Sequence, residues 1–156
     1  LNQTLVRDFQ IEQPKIAILA IDPHIGDGGV ISENDKKLIT PAVKKMQDSG
    51  NLVYGPFSAD SFFGSEEYKK YDLIIAAYHD QGLIPFKTLS FGTGVNYTSG
   101  LDRIRTSPDH GTAYSIAGKG VASTDSFLSS IYLAIDVFRR RKIYDEFSKN
   151  KLETSQ

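Results

Sequence analysis

The chain has 156 residues, of which 40% are hydrophobic, and this suits one domain of ordinary size with enough apolar side chains for a core. Its formal net charge of −1 gives no basic surface of the kind that binds nucleic acid or an anionic membrane, and no apolar run is long enough for a membrane span. It has no cysteine, which excludes disulfides and thiolate chemistry. We therefore expect a cytoplasmic protein with no nucleic-acid or membrane partner.

Two apolar runs in the first half of the chain predict strands that end in polar turns containing a histidine. After a helix predicted over residues 1–9, the run 15–21 predicts a buried strand of the parallel type. It leads into residues 22–29, where a proline and three glycines predict a loop with unusual backbone angles. The second run, 72–77, is also predicted as a buried strand and leads into a polar turn at 78–83.

The pattern between these two strands predicts a helix, a further strand and two short helical segments. The helix covers residues 32–48 with Ser32 as its N-cap, and Pro41 predicts a kink or a break in it. Its buried stripe is predicted to consist of Leu38, Ile39, Ala42, Val43 and Met46. The segments that follow are predicted as a strand at 51–55 and helical segments at 59–63 and 65–71.

The second half of the chain contains glycine-rich turns and, near its end, the clearest helix. Residues 81–87 are predicted as a short helical or irregular segment that Pro85 brings to an end, and residues 88–91 should be strand-like. The glycine-rich residues 92–96 match neither the GxGxxG fingerprint nor a P-loop. The remaining segments are predicted as a strand at 101–106, a turn at 107–112, a small-residue helix from 113 to Gly118 or Gly120, and amphipathic helices at 123–141 and 143–152.

The alternation of strands and helices predicts an α/β fold with a mainly parallel sheet flanked by helices. The carboxyl ends of parallel strands share one edge of a sheet, so His24 and His79, which each follow a strand, could converge there. Asp22, Asp27 and Asp80 lie beside them in the sequence. Two histidines with a third ligand would hold a divalent metal that keeps an open position, the pattern of a catalytic site. The alternative, that both histidines are ordinary turn residues, stays open.

A short span of the chain also carries polar and basic side chains beside glycine-rich turns, namely Lys87, Asn96, Arg103 and Arg105. Arginine and lysine bind phosphate and carboxylate groups, so this span predicts a site for a small anionic ligand. A solvated basic face is the alternative, because most surface arginines bind no ligand.

Four long motifs carry a resemblance that covers nearly the whole chain. They are DPHIGDGG, YHDQGLIPFK, FGTGVNYTSGL and IRTSPDHGTAYSIAGKG. In this order they resemble the C-terminal half of the 4-hydroxythreonine-4-phosphate dehydrogenase family of pyridoxal phosphate biosynthesis. The resemblance implies a partial chain with a fold related to the isocitrate and isopropylmalate dehydrogenases, and DHGTAYSIAGKG is similar to their nucleotide-binding loop.

The resemblance also implies an activity. Family members use NAD or NADP to oxidise 4-phosphohydroxy-L-threonine, a small anionic phosphorylated substrate. The β-keto acid that forms loses carbon dioxide and gives 3-amino-2-oxopropyl phosphate. The family uses a divalent metal, for which zinc, magnesium and cobalt are the candidates, and works as a homodimer with a site shared between subunits.

Residue roles pass to this chain only where the motifs match. The resemblance implies that His24 and His79 are metal ligands. It implies substrate-binding roles for Lys87, Asn96 and Arg105. It implies dinucleotide contacts at His110, Gly111, Thr112 and Ala113. Asp80 is our candidate proton acceptor, from its position in the motif alone.

The chain departs from the family pattern in several places. The family protein is longer, and its third metal histidine and a His-Thr pair that touches the substrate belong to the half that the chain lacks. Asp102 and Ser99 stand where the pattern predicts a proline and an apolar residue, so the turn at 101–103 should differ. The chain begins with Leu1 rather than Met, which predicts a processed or truncated product.

These departures predict a division of the chain into two portions. Residues 1–122 should form the metal- and substrate-binding α/β portion, and residues 123–156 should form helices that pack on the missing N-terminal portion. We therefore expect the fragment to be weakly active or inactive alone. It should also expose an apolar patch on its long C-terminal helix.

Three other functions compete with this interpretation. The first is a related dehydrogenase that acts on another four-carbon phosphorylated hydroxy acid, such as erythronate or threonate 4-phosphate. The second is a phosphate acyltransferase of the same broad fold, which would need no metal and is therefore disfavoured by the paired histidines. The third is an inactive α/β dimerisation fragment.

Overall fold

The structure, a computed structural model, describes residues 1–149 and divides the chain into two compact units. The sheet unit consists of Gln13–Leu89. The hairpin unit consists of Leu1–Glu12 together with the chain from Ser90 onward. The boundary between these units therefore differs from the predicted division at residue 122. The functional roles assigned to residues 1–122 and 123–156 stay a prediction.

The elements follow one another as helices and short strands. The strands are β1 Lys15–Leu19, β2 Leu52–Phe57, β3 Leu73–Ile75, β4 Val95–Tyr97 and β5 Thr106–Pro108. The helices are α1 Asn2–Phe9, α2 Thr40–Asp48, α3 Ala59–Gly64, α4 His79–Ser90 and α5 Asp125–Ser148. Tighter or wider helical turns occur at Pro23–Gly29, Asp35–Ile39, Glu67–Lys70 and Tyr114–Ile116. No helix within residues 1–149 is long and apolar enough to cross a membrane.

The sheet unit contains a three-stranded parallel sheet in the order β2-β1-β3. The central strand β1 pairs Ile16 with Val53 on one side and with Leu73 on the other. Ala17 and Leu19 of β1 form the core with Phe62 of α3. The predicted α/β class and parallel sheet are confirmed. The strand β3 is half-buried rather than buried, because it has a neighbour on one side only.

The predicted break near Pro41 is confirmed. A wide, π-type turn at Asp35–Ile39 precedes α2, and Pro41 lies in the first turn of α2, where its missing N–H has no helical partner to lose. Of the predicted apolar stripe, Val43 is buried but Leu38 is 59% exposed. Leu38 lies in the wide turn before α2 and does not share the buried face of Val43.

The region around the second histidine differs from the prediction. Instead of a polar turn at 78–83 and a strand at 88–91, the helix α4 runs from His79 to Ser90 and passes through Pro85. A proline removes one backbone donor, and the remaining turns of this helix persist around that gap. The predicted strand 72–77 is also shorter, because α4 begins only a few residues after β3 ends.

The hairpin unit is built on an antiparallel pair, β4 and β5, in which Asn96 lies opposite Ser107 and Tyr97 lies opposite Thr106. The helices α1 and α5 pack against each other, and α5 also packs on both strands. The predicted strand at 101–106 is wrong, since β5 begins only at Thr106. The predicted small-residue helix after residue 113 is a single turn at Tyr114–Ile116, because glycines follow it closely.

One continuous helix, α5, replaces the two helices predicted near the chain's end. The residues near position 142 contain no glycine or proline, so no side chain interrupts the helical ladder there. Residues 150–152 of the predicted second helix lie outside the described part of the chain. The face that α5 buries consists of Ser126, Ser130, Val137 and Arg141. Its exposed large apolar residues are Phe127, Leu128, Ile131, Tyr132, Ile135, Phe138, Ile143 and Phe147.

Candidate functional site

The loop that carries His24 is fixed by a buried carboxylate. Asp35 is 1% exposed, and its two oxygens accept the backbone N–H groups of Ile21 at 2.8 Å and of Asp22 at 2.9 Å. The Asp22 side chain in turn accepts a short hydrogen bond from the Ser32 hydroxyl. The end of β1 is thereby held on the segment that leads into α2, and the direction in which the His24 loop leaves the sheet is set.

The His24 loop itself has a left-handed backbone. His24, Ile25 and Asp27 have φ angles of 52°, 57° and 45°, which are costly for residues with a Cβ atom and most costly for a β-branched one. Gly26 is buried within the loop, and a Cβ atom at that position would collide with the Ser32 carbonyl oxygen. This strained, glycine-dependent loop leaves the His24 side chain exposed.

The turn that carries His79 is tied to the same edge of the sheet by Gln81. The Gln81 side chain donates to the Ala20 carbonyl at 2.7 Å, just after β1, and accepts the Ala77 N–H at 3.0 Å, just after β3. Since β1 and β3 are parallel neighbours, the segments that bear His24 and His79 leave the sheet at one edge, as the sequence predicts. His79 is exposed at the start of α4.

A cleft of about 340 Å³ lies beside His24 within the sheet unit. Its lining consists of Ile21, Asp22, Pro23, His24, Ser58, Ala59, Asp60 and Gln81. Hydrogen bonds from the Ser58 hydroxyl and the Ser61 backbone N–H keep the pKa of the Asp60 carboxyl below its ordinary value, and His24 adds a smaller electrostatic effect. Asp60 is thus a carboxylate close to His24 that the sequence analysis did not single out.

The described residues do not form a complete metal site. Within residues 1–149, no three histidine, aspartate or glutamate side chains are grouped closely enough to hold a metal ion. Catalytic metals are usually held by three protein ligands with one position open. His24 and His79 therefore fit a metal only as part of a ligand set.

The helix α4 carries two further predicted site residues. Asp80 and Lys87 are seven residues apart, which places them on the same side of the helix two turns apart, and both are exposed. Asp80 lines a second groove of about 600 Å³ with Ile84 and Thr88 of α4. This groove is a different one from the His24 cleft, although Asp60 and Gln81 line both.

The hairpin brings Asn96 and Arg105 onto one face. Asn96 pairs with Ser107, and Arg105 is two residues before Ser107, so all three side chains point to the same side of the ladder. The opposite side packs inward, since Tyr97 contacts Phe9 edge-on with ring centroids 5.3 Å apart. Asn96 and Arg105 are exposed and share the outer face. Arg105 directly precedes β5 and continues its pairing, because the Thr98 N–H donates to the Arg105 carbonyl, whereas Arg103 lies farther into the connection between the strands.

The predicted dinucleotide segment, His110–Ala113, follows β5 directly and is exposed. Ser126, near the start of α5, fixes its entrance: the Ser126 hydroxyl accepts the Asp109 N–H at 3.0 Å and donates to the Gly94 carbonyl at 2.7 Å. Ala113 has a φ of 51°, in the left-handed region. The segment is therefore an exposed turn supported by the helix behind it.

The predicted residues thus fall in both units. His24, His79, Asp80 and Lys87 belong to the sheet unit, whereas Asn96, Arg105 and residues 110–113 belong to the hairpin unit.

Comparison with known proteins assigns the family. The family described as "Pyridoxal phosphate biosynthetic protein PdxA" matches residues 1–134. The chain belongs to the PdxA family.

Relatives and solved structures agree with this assignment. The 4-hydroxythreonine-4-phosphate dehydrogenase of Bacteroides thetaiotaomicron is 55% identical over 141 residues, which are 90% of this chain and 39% of that protein. The crystal structure of the enzyme of the same name from Klebsiella pneumoniae has a TM-score of 0.73 and 41% identity, over 86% of this chain and 41% of that one. A terephthalate 1,2-cis-dihydrodiol dehydrogenase from Burkholderia xenovorans has a TM-score of 0.59 and 28% identity, over 86% and 42% of the two chains. The chain therefore spans about two-fifths of the relatives that it matches.

A buried charge network lies behind the hairpin of this PdxA-family chain. Arg141 of α5 forms a two-pronged ion pair with Asp8 of α1, with nitrogen–oxygen distances of 2.7 and 2.9 Å, and the Tyr97 hydroxyl donates to the same carboxylate. Burial raises the pKa of the Asp8 carboxyl, but the hydrogen bonds from Arg141 and Tyr97 outweigh it and bring the pKa below its ordinary value. The pKa of the Tyr97 hydroxyl is raised, mainly by burial.

The sequence analysis missed four residues that hold the segments on which the predicted site residues lie. It gave no site role to Asp8, Asp35, Gln81 or Arg141. A buried role for these side chains depends on contacts with distant parts of the chain, which spacing along the sequence does not show. The Gln81 position inside the HDQG motif is the one local signal that pointed to it.

Proposed function

We propose that the chain is part of an NAD- or NADP-dependent dehydrogenase that oxidises and decarboxylates 4-phosphohydroxy-L-threonine to 3-amino-2-oxopropyl phosphate in pyridoxal phosphate biosynthesis. The observation that carries the proposal is the 55% identity, over 90% of this chain, to a 4-hydroxythreonine-4-phosphate dehydrogenase. The exposed polar residues at one edge of the sheet and on one face of the hairpin are chemically suited to this substrate.

His24 and His79 are proposed as two ligands of a divalent metal, zinc, magnesium or cobalt. Their segments leave the sheet at one edge, and the strained loop around His24 costs free energy that a ligand-binding role would explain. Since the described residues supply no third grouped ligand, the remaining ligands are proposed to come from outside residues 1–149. When bound, such a metal would polarise the oxygen atoms of the substrate.

The chain's basic and amide side chains are proposed to bind and orient the substrate. Arg105 can bind a phosphate or carboxylate with two parallel hydrogen bonds, whereas Lys87 acts as a point charge. Asn96 lies on the same hairpin face as Arg105 and can donate to a substrate oxygen. The residues of the His110–Ala113 turn are proposed to contact the dinucleotide.

Asp80 is proposed to accept the proton of the substrate hydroxyl. Its carboxylate is exposed, and no hydrogen-bond or ion-pair partner within residues 1–149 competes for it. It lies on the same side of α4 as Lys87, so a substrate held by the lysine would lie near the carboxylate.

We propose that the whole enzyme is a cytoplasmic homodimer whose subunits share the site, and that the last helices pack on the portion that the relatives have beyond this chain. The exposed aromatic residues of α5, among them Phe127 and Phe138, support a covered helix face. Sedimentation of the chain at increasing concentration tests this proposal. A monomer at every concentration would contradict the dimer.

A second candidate is a related dehydrogenase with a different substrate, such as erythronate or threonate 4-phosphate. The similarity to a terephthalate dihydrodiol dehydrogenase favours keeping it, because that protein shares the fold at 28% identity and is named for a different substrate.

The deciding experiment follows NADH formation by the purified chain with NAD or NADP, a divalent metal and a panel of phosphorylated hydroxy acids. Turnover on 4-phosphohydroxy-L-threonine would support the proposed activity, and turnover only on erythronate or threonate 4-phosphate would support the second candidate. Because the chain spans about two-fifths of its relatives, we expect weak or no turnover by the chain alone. The same assay is therefore repeated with the chain extended to the full length of its relatives, where absence of turnover on the first substrate would contradict the proposal.

Metal binding is measured separately from activity, on the chain extended to the full length of its relatives, from the absorption spectrum of added Co²⁺. His24→Ala and His79→Ala should each weaken Co²⁺ binding strongly. His110→Ala is the matched control, because it removes the third histidine of the chain and leaves both proposed ligands in place. Equal binding by all three variants would contradict the proposed ligands.

A further inference from the structure

The connection between β4 and β5 is held at its base and on its side by polar contacts. At the base, the Thr98 N–H donates to the Arg105 carbonyl at 3.0 Å, and the Arg105 guanidinium donates to the Thr98 hydroxyl at 2.9 Å. On one side, the hydroxyls of Ser99 and of Thr4 in α1 share a hydrogen bond of 2.8 Å. The connection therefore has defined contacts with both its own strands and the first helix.

The tip of the same connection is held by Arg141. Its Nη1 atom donates to the carbonyl oxygens of Leu101 and Asp102, both at 3.1 Å. Its Nε and Nη2 atoms bind the Asp8 carboxylate, and Nη2 also donates to the Tyr97 hydroxyl at 3.2 Å. A guanidinium has five N–H donors in a fixed plane, and each of the five has an acceptor here. The carboxylate of Asp8 thus fixes the plane of a guanidinium that in turn fixes the connection.

We propose that Arg141, oriented by Asp8 and Tyr97, is a positioning residue that sets the direction of Arg105 toward an anionic group of the substrate. The inference rests on the proposed function, in which Arg105 binds that group. Arg141 is 8% exposed and all of its donors are used, so it does not contact the ligand itself. Arg105 is exposed on the outer face of the hairpin, three residues after the Asp102 carbonyl that Arg141 holds.

The test is a titration of the isotope-labelled 156-residue chain with inorganic phosphate, followed through the backbone amide signal of the residue at position 105. Arg105→Met should weaken phosphate binding about tenfold, because it removes a charge-assisted hydrogen bond. Arg141→Lys keeps the charge but has one donor nitrogen, which cannot reach Asp8 and both carbonyls. It should weaken phosphate binding about fivefold, a coupling typical of residues in one network, and should speed hydrogen exchange at the Thr98 amide.

A matched variant separates positioning from loss of stability. Val137→Ala removes a fully buried side chain from the same helix, lowers the melting temperature, and leaves the contacts of Arg141 in place. Measured well below the melting temperature, it should bind phosphate as the unchanged chain does. Weakening by Val137→Ala equal to that by Arg141→Lys would overturn the inference, because a general loosening would then explain both.

The remaining outcomes distinguish the inference from the proposed function. If Arg105→Met weakens phosphate binding and Arg141→Lys does not, the inference is wrong and the role of Arg105 stands. If Arg105→Met binds phosphate like the unchanged chain, the anion-binding role of Arg105 is wrong, and the inference is wrong with it. If Arg141→Lys does not fold, Tyr97→Phe decides, since it removes one hydroxyl from the network and keeps the ring against Phe9. Weaker phosphate binding by Tyr97→Phe supports the inference, and unchanged binding overturns it.

Discussion

The two units of the chain are stabilised by different kinds of contact. In the sheet unit the buried residues are almost all apolar: Ile16, Ala17, Ile18, Leu19, Ala20, Val43, Val53 and Phe62, with Asp35 as a buried acid. In the hairpin unit the buried apolar residues are Leu5 and Val137, and the buried polar ones are Asp8, Ser126, Ser130 and Arg141. The sheet unit therefore depends on apolar packing, and the hairpin unit depends on paired polar groups.

This difference matters for the predicted site. Apolar packing is non-directional, and it tolerates changes of shape that preserve volume. A buried ion pair with all of its hydrogen bonds made fixes orientation, but removing one partner leaves an unpaired charge. The hairpin, which carries Asn96 and Arg105, is thus oriented by a buried ion pair. The segments that bear His24 and His79 are oriented only by local hydrogen bonds, from Asp35 and Gln81.

The largest effect is expected from a cavity in the sheet unit. Phe62 is 3% exposed and packs against Phe57, Phe63 and Tyr71. Phe62→Ala should lower the free energy of unfolding of this unit by about 4 kcal/mol, because the cavity that it leaves adds to the lost burial. Hydrogen exchange of the Ala20 amide, which donates to the Phe57 carbonyl beside β1, reports the change.

Leu38→Ala is the matched control, since Leu38 belongs to the same unit and is 59% exposed. It should change the exchange rate little. Equal effects of the two variants would contradict the placement of Phe62 in the core of the sheet unit.

The next effect concerns the ion pair of the hairpin unit. Asp8→Ala should lower the stability of this unit by about 3 kcal/mol, because the Arg141 guanidinium then stays buried without a negative partner. Exchange at the Asp109 amide, bonded within the hairpin unit, should speed up. The double variant Asp8→Ala with Arg141→Met should be more stable than Asp8→Ala alone. A double variant less stable than the single one would show that the two side chains do not act as a pair.

A smaller effect is expected from pH. The pKa of the Asp8 carboxyl in the folded chain lies below the ordinary value of about 3.9. The stabilisation that it contributes is therefore complete above that ordinary value and is lost as the pH falls through the lower folded-state pKa. Between pH 7 and pH 3, the urea midpoint should fall further for the unchanged chain than for Asp8→Asn, which cannot titrate at this position. An equal fall of the urea midpoint for the two proteins would contradict the lowered pKa of the Asp8 carboxyl.

The smallest effect is expected at the exposed ion pair of the same unit. Arg7 bonds Asp145 at 2.8 and 3.1 Å, but the Asp145 side chain is half exposed. Water and salt screen such pairs, so Asp145→Asn should leave the melting temperature unchanged within error. A fall in melting temperature as large as that caused by Asp8→Ala would show that the exposed ion pair stabilises the unit as much as the buried one does.

The sequence predicted the parts of the fold that depend on local pattern. The runs around β1 and β3 are apolar and end in histidine-containing segments, so a parallel sheet with both histidines at one edge followed from the strands alone. The break before α2 followed from Pro41 in the same way.

The features of the fold that the sequence did not predict depend on contacts between distant residues. Pro85 predicted the end of a short helical or irregular segment, yet the helix α4 continues through it, which only its surroundings could decide. The long helix α5 exposes its aromatic residues, as the predicted apolar patch requires, but its pattern did not show that it buries serines and an arginine instead. Arg141 and Asp8 are 133 residues apart, and no local signal links them.

The two units also differ in which parts of the polypeptide they contain. The sheet unit is one continuous stretch, Gln13–Leu89, whereas the hairpin unit joins the first twelve residues to those that begin at Ser90. During synthesis the sheet unit can close while the rest of the chain is still being made, because all of its contacts are between residues already present. The hairpin unit must wait for Arg141, because that residue supplies the ion-pair partner of Asp8. The sheet unit is thus expected to fold before the hairpin unit.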